Sequence, residues 1–251
     1  MATPTLGQAP HSDTHRIEEA RSRLIVALDV ATADAAFELV NRLEGSCRWF
    51  KVGLELFTAA GPSIVEQLAE QGHSVFLDLK FHDIPNTVAG AVRSCAGLGA
   101  RMMTLHGLGG PAMLAAGRAE MAKLADPPQL LVVTVLTSMD AAQLNAIGLA
   151  VSPAEEAESL ARLGVEAGIR GFVCSPQEVA ALRSITGSSG VLVVPGIRPA
   201  GAEIGDQKRV ATPAETLGQG ASYLVVGRPI TQAADPAAAA NQILAEMATA
   251  L

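Results

Sequence analysis

Aromatic residues are scarce in this chain: one Trp, one Tyr and six Phe among 251 residues. A core for a chain of that length must then be aliphatic, built from Ala, Val, Leu and Ile, which suits a parallel sheet covered by Ala-rich helices. Cysteine is scarce too. Cys47, Cys95 and Cys174 are odd in number, widely spaced and without a CxxC pair, so neither a disulfide framework nor a zinc site follows, and a reducing interior is expected. No segment approaches the ~18 uninterrupted apolar residues of a membrane span. Positive charge is in deficit. The formal net charge of −7 argues against nucleic-acid or membrane-surface partners, yet a pocket of opposite local charge can still take a small anion. Residues 1–21 are polar, carry Asp13, Glu18 and Glu19, and lack the apolar stretch of a targeting signal. A flexible leader is expected there, with His11 and His15 in solvent, and a soluble, cytoplasmic location follows.

What the chain does have is alternation. Short apolar, β-branched runs read as strands at Leu24–Leu28, Trp49–Gly53, Val75–Leu79, Met102–Leu105, Leu130–Val135, Gly171–Cys174, Val191–Val194 and Tyr223–Val226. Between them, residues 34–43, 62–71, 88–98, 111–124, 154–167, 176–185 and 236–250 repeat apolar positions at three and four, as amphipathic helices do. Thr32, Ser152 and Ser175-Pro176 are start signals. Eight strand–helix units without an interdomain linker predict a single (β/α)8 TIM barrel over residues 22–251. One stretch breaks the rhythm: residues 195–213 are rich in Gly and Pro, carry Arg198, Asp206, Gln207, Lys208 and Arg209, and follow the seventh strand. A long aperiodic loop at that place reads as a mobile lid.

The densest chemistry lies in Phe76-Leu77-Asp78-Leu79-Lys80-Phe81-His82-Asp83-Ile84-Pro85-Asn86-Thr87. Alternate strand residues share a face, so Asp78 and Lys80 point the same way. Charges in so apolar a segment are costly unless paired, and barrel enzymes keep their working groups at the carboxyl ends of strands. The same positions on other strands hold Asp29, Lys51, Thr137, Arg198 and Gly227-Arg228. Asp29 and Lys51 read equally as a salt bridge shaping the pocket floor. Gly227-Arg228, with Arg198, reads as a phosphate grip: glycine admits backbone N–H groups, arginine forms bidentate pairs, and a short helix can begin just beyond. His106, also at a strand end, is a base, a ligand or, more simply, a satisfied structural residue.

At these residues the sequence resembles the orotidine 5′-phosphate decarboxylase family. The similarity is carried by residues 78–87 together with Leu28-Asp29, Phe50-Lys51-Val52-Gly53, Val135-Leu136-Thr137-Ser138, Pro195-Gly196-Ile197-Arg198, Asp206-Gln207 and Val226-Gly227-Arg228-Pro229-Ile230-Thr231, in order over residues 22–249. The resemblance implies conversion of orotidine 5′-monophosphate to UMP without cofactor or metal. It implies catalytic roles for Lys80, Asp78, Lys51 and Asp83, with Lys80 protonating C6. Asp29, Lys51, Ile84, Thr87, Thr137, Pro195, Arg198, Gln207, Gly227 and Arg228 are implied to bind substrate. A homodimer is implied, in which Asp83 and Ile84 complete the partner's site. Two other readings share parts of the pattern: a Mg²⁺-dependent sugar-phosphate decarboxylase or aldolase on the same barrel, and a non-catalytic nucleotide-phosphate binder.

Overall fold

The computed structural model describes residues 11–43, 45–199 and 209–251. Eight parallel strands close into one barrel in sequence order: β1 (Leu24–Ala27), β2 (Trp49–Gly53), β3 (Ser74–Phe81), β4 (Met102–His106), β5 (Gln129–Val133), β6 (Gly171–Val173), β7 (Val191–Val194) and β8 (Tyr223–Val226). The strands are near-continuous apolar runs because both faces are covered. Leu24, Val26 and Leu28 point outward into the layer shared with the helices, whereas Ile25 and Ala27 join Phe76, Met102, Leu131, Val133, Val173, Val193 and Val225 inside the barrel. Period-2 alternation then carries the inward set on to Asp29, Lys51, Asp78 and Gly227, past the apolar layers.

The helices begin where the sequence signals them. Thr32 accepts a hydrogen bond from the Ala35 N–H, and Ser152 with Glu155 forms a reciprocal capping box. At Ser175 one half of such a box is present, its N–H donating to the Glu178 carboxylate, and it opens a 3₁₀ turn, Pro176–Glu178, before the helix Val179–Thr186. Helices Leu54–Ala60, Ala141–Ala146 and Pro213–Gly218 are additional to those expected. Each is too short for the apolar period to stand out.

Three expectations need correction. Residues 11–23, within the stretch read as a flexible leader, form a helix. Its Glu18–Arg21 and Glu19–Arg23 pairs sit at three- and four-residue spacing, and Ala20 is fully buried in the barrel's outer layer. Small residues such as Ala20 give little amphipathic signal, so tertiary contact decides this helix. Strand β3 runs two residues further than expected, to Phe81, through a register shift between Leu77 and Phe81. Strand β5 stops at Val133; the Thr134 side chain and N–H both turn to the Val173 carbonyl instead.

Candidate active site

The inward row of polar residues opens into a cavity of about 420 Å³ at the carboxyl ends of the strands. Its walls include Asp29, Lys51, Phe76, Asp78, Lys80, Thr137, Pro195, Arg198, Gly227 and Arg228. Two ion pairs form its floor. Lys51 Nζ donates to Asp29 Oδ1 at 2.8 Å, with the lysine buried and the carboxylate half exposed. Lys80 Nζ donates to Asp78 Oδ2 at 2.8 Å, and here the carboxylate is the buried partner. An ammonium has three donors; among the described residues each lysine commits one of them, to a single carboxylate.

The second pair rests on an unusual backbone. Lys80 has φ +51°, the one positive φ outside glycine among the described residues. The left-handed region costs a residue with a Cβ roughly 1–2 kcal/mol, and strain of this kind persists only where the surroundings hold it. Thr104, fully buried on β4, supplies the hold. Its hydroxyl accepts from the Lys80 N–H at 2.8 Å and donates to Asp78 Oδ1 at 3.2 Å. One hydroxyl thus fixes both the twisted backbone at Lys80 and the carboxylate that its ammonium faces.

The first pair is shaped by a missing side chain. A Cβ on Gly53 would lie 2.8 Å from Lys51 Nζ and 3.4 Å from Asp29 Oδ1. Glycine leaves the space in which the ammonium sits. Beyond Gly227, the helix Arg228–Thr231 begins as expected, and its last turn brings Gln232 into the cavity wall. At the other rim, the Arg198 N–H donates to the Ala211 carbonyl at 3.0 Å, and Ile197 and Ala211 form a parallel bridge. The two ends of the long loop are thereby joined. Gln207, Asp206 and Lys208 lie outside the described residues, as does the centre of the expected lid.

Asp83, Ile84 and Thr87 are not in the cavity wall. They belong to an unbroken exposed run, residues 82–87, in which Ile84 is 67% exposed. The run closes the turn into the helix Pro85–Ala96, where Thr87 N–H donates to the Ile84 carbonyl. His106 takes the structural role. Its Nδ1 accepts from the Leu108 N–H, and its ring stacks on His82 with centroids 5.3 Å apart. Burial, then the nearby His82 and Lys80, push its pKa down to about 4, so the ring is neutral near pH 7. Cys174 also reaches the wall, but burial pushes its thiol up to about 12, which leaves it inert as a nucleophile.

Sequence reasoning missed Thr104 and Gln232. A polar residue inside Met102-Met103-Thr104-Leu105 was the signal for the first. Four-residue spacing from Arg228 was the signal for the second. Among the described residues no three His, Cys, Asp or Glu side chains gather as a metal site, and no helix is long and apolar enough to cross a membrane.

Residues 22–243 match the model of the orotidine 5′-phosphate decarboxylase / HUMPS family. An orotidine 5′-phosphate decarboxylase of Nitrosococcus oceani is 54% identical over 228 residues, spanning 90% of this chain and 98% of that protein. One from Moorella thermoacetica is 52% identical, over 91% of this chain and 93% of the relative. Among solved structures, the orotidine 5′-phosphate decarboxylase of Lactobacillus acidophilus superposes with a TM-score of 0.79 at 38% identity, covering 90% of this chain and 98% of that one.

Proposed function

The chain belongs to the orotidine 5′-phosphate decarboxylase / HUMPS family, and we propose that it converts orotidine 5′-monophosphate to UMP and CO₂ in pyrimidine biosynthesis. The observation that carries this reading is the pair of carboxylate–ammonium couples, Asp29–Lys51 and Asp78–Lys80, set on the floor of one cavity whose rim holds Arg198 and Arg228.

Loss of CO₂ from C6 leaves an electron pair in the plane of the pyrimidine ring, with no adjacent carbonyl to delocalise it. A cofactor sink is one answer to that problem. An oriented cation that then becomes the proton donor is another, and Lys80 fits it. Its ammonium stabilises charge as it develops at C6 and delivers a proton there, ending as the neutral amine. Asp78 lies beside the departing carboxylate and holds the ammonium in line. Lys51 and Asp29 engage the ribose hydroxyls, while Thr137 and Pro195 contact the nucleotide. Arg198, Arg228 and the Gly227 backbone take the phosphate, with Gln207 reaching it from the loop. Because the phosphate is remote from C6, its binding energy can be used to organise the site and lower the barrier.

We assign Asp83 and Ile84 to the cavity of a second copy in a homodimer, with Thr87 ordering the turn that presents them. The exposed run 82–87, with an apolar residue at its crest, supports this. A reducing cytoplasm suits the three cysteines, all of which are free and buried.

The test is direct. Orotidine 5′-monophosphate is added to chelator-treated protein, loss of the orotate absorbance is followed, and UMP is confirmed by chromatography. Conversion without metal is the expected result. A folded protein that binds UMP but leaves the substrate intact is a binder. Activity confined to sugar phosphates and Mg²⁺ assigns the chain to metal-dependent chemistry instead.

A further inference from the structure

Beneath the cavity wall lies a charged cluster that the mechanism above does not use. Arg209 is 6% exposed and Glu178 2% exposed, and the two form an ion pair. Arg209 Nη2 also donates to the carbonyls of Val135, at 3.1 Å, and Leu136, at 2.9 Å. The other Glu178 oxygen accepts from the Ser175 N–H at 2.7 Å. Three separate segments meet at one guanidinium: the far end of the long loop, the chain leaving β5, and the capping turn after β6.

Stability alone is a poor reason for this arrangement. Removing two ions from water costs about as much as their attraction returns, and apolar replacements are often as stable. Arg209 Nε, moreover, has no acceptor among the described residues, and neither has the Ser175 hydroxyl a partner. What a planar fork provides is geometry, since it fixes several acceptors at set angles.

The geometry held here belongs to the substrate wall. Val135, Leu136 and Thr137 all line the cavity, so the two carbonyls that Arg209 grips set the direction of the chain into Thr137. Two residues beyond Arg209, the Ala211 carbonyl accepts from the Arg198 N–H. Arg209 is thus tied by its head to the segment carrying Thr137, and by its backbone to the segment carrying Arg198. We propose that Arg209, oriented by Glu178, is a positioning residue that sets the spacing between Thr137 and Arg198 and so tunes affinity for the nucleotide's phosphate end. The assignment rests on the nucleotide reading given above.

The test uses Arg209→Lys and Glu178→Gln in the full chain. Steady-state decarboxylation of orotidine 5′-monophosphate, calorimetric UMP binding and thermal melting are measured beside the unaltered protein. Lysine keeps the charge but cannot span a carboxylate and two carbonyls. Misplacement of a binding group is expected to raise KM and the UMP Kd together by about tenfold in both variants, with kcat changed less than about threefold. Glu178→Gln, which keeps size and an acceptor for the Ser175 N–H, is expected to fold even where Arg209→Lys does not. Unchanged KM and UMP affinity in folded variants would overturn the proposal, as would a fall in kcat that tracks lost thermal stability with KM unmoved. If the unaltered protein neither turns over the substrate nor binds UMP, the nucleotide reading fails first and the positioning role falls with it.

Discussion

Arg183 at one end of this barrel and the two cavity lysines at the other use their donors in opposite ways. At the amino-terminal end, Arg183 donates to the carbonyls of Gly187, Gly190 and Gly220 and to the Ser222 hydroxyl. The single Trp and single Tyr of the chain, Trp49 and Tyr223, meet edge to face beside it. At the carboxyl end, among the described residues, Lys51 and Lys80 each commit one donor to one carboxylate and face an open cavity. A cation whose donors are consumed by backbone holds the chain. A cation with donors to spare, held in place from behind, is equipped to act on something else. The difference lies in hydrogen-bond completion rather than burial, since Lys51 is the more buried of the two lysines and still has donors to give.

The largest effect that can break this comparison is at Lys80. Replacing it with alanine is expected to lower kcat by about 10⁴-fold, the combined scale of proton transfer and charge stabilisation. UMP binding should persist, and titration calorimetry checks that the fold survives. Next is Gly53→Ala. Its backbone, at φ −97°, accepts alanine, but the new Cβ would meet Lys51 Nζ at 2.8 Å. The displaced ammonium should cost about tenfold in kcat/KM with little change in melting temperature. Normal kinetics would mean that the Asp29–Lys51 pair only shapes the floor.

At the opposite end the signs reverse. Arg183→Ala leaves several acceptors without a donor and is expected to cost roughly 1–3 kcal/mol of stability in denaturant unfolding, with kcat unchanged. A lower kcat at equal stability would erase the distinction between the two ends. The smallest effect concerns pH. Burial holds the folded His106 pKa near 4, below its ordinary value of 6.5. As pH falls through 6.5 the unfolded chain takes up that proton before the folded one, so stability declines from there down to about pH 4. His106→Asn keeps an acceptor for the Leu108 N–H and removes the titration. Its melting temperature should fall less steeply over that window.

Much of this division was legible in the sequence. The eight strands and the inward facing of Asp29, Lys51, Asp78 and Gly227 follow from apolar runs and period-2 alternation. The carboxyl-end rule then places charges at the cavity. What escaped was decided by contacts between distant segments. The left-handed Lys80 depends on the Thr104 hydroxyl from the next strand. The helix 11–23 depends on burial of Ala20 against the rest of the fold. Alternation alone also put Asp78 and Lys80 on one face for an incomplete reason: both reach the cavity, but across a shifted register. Nor did the sequence separate Arg209 from the other charges of its loop, because its partners, Glu178 and the carbonyls after β5, are far away along the chain.

The claim that Lys80 acts through its ammonium proton is tested most directly by rescue of Lys80→Gly. Glycine suits φ +51° without the Cβ penalty, so the substitution removes the ammonium while easing the backbone. Turnover of orotidine 5′-monophosphate is measured with ethylammonium, which carries N–H protons, and with tetramethylammonium at equal ionic strength, which carries none. The expected result is a very low background that rises with ethylammonium alone. Near-normal turnover without any amine, or equal response to both cations, would contradict it.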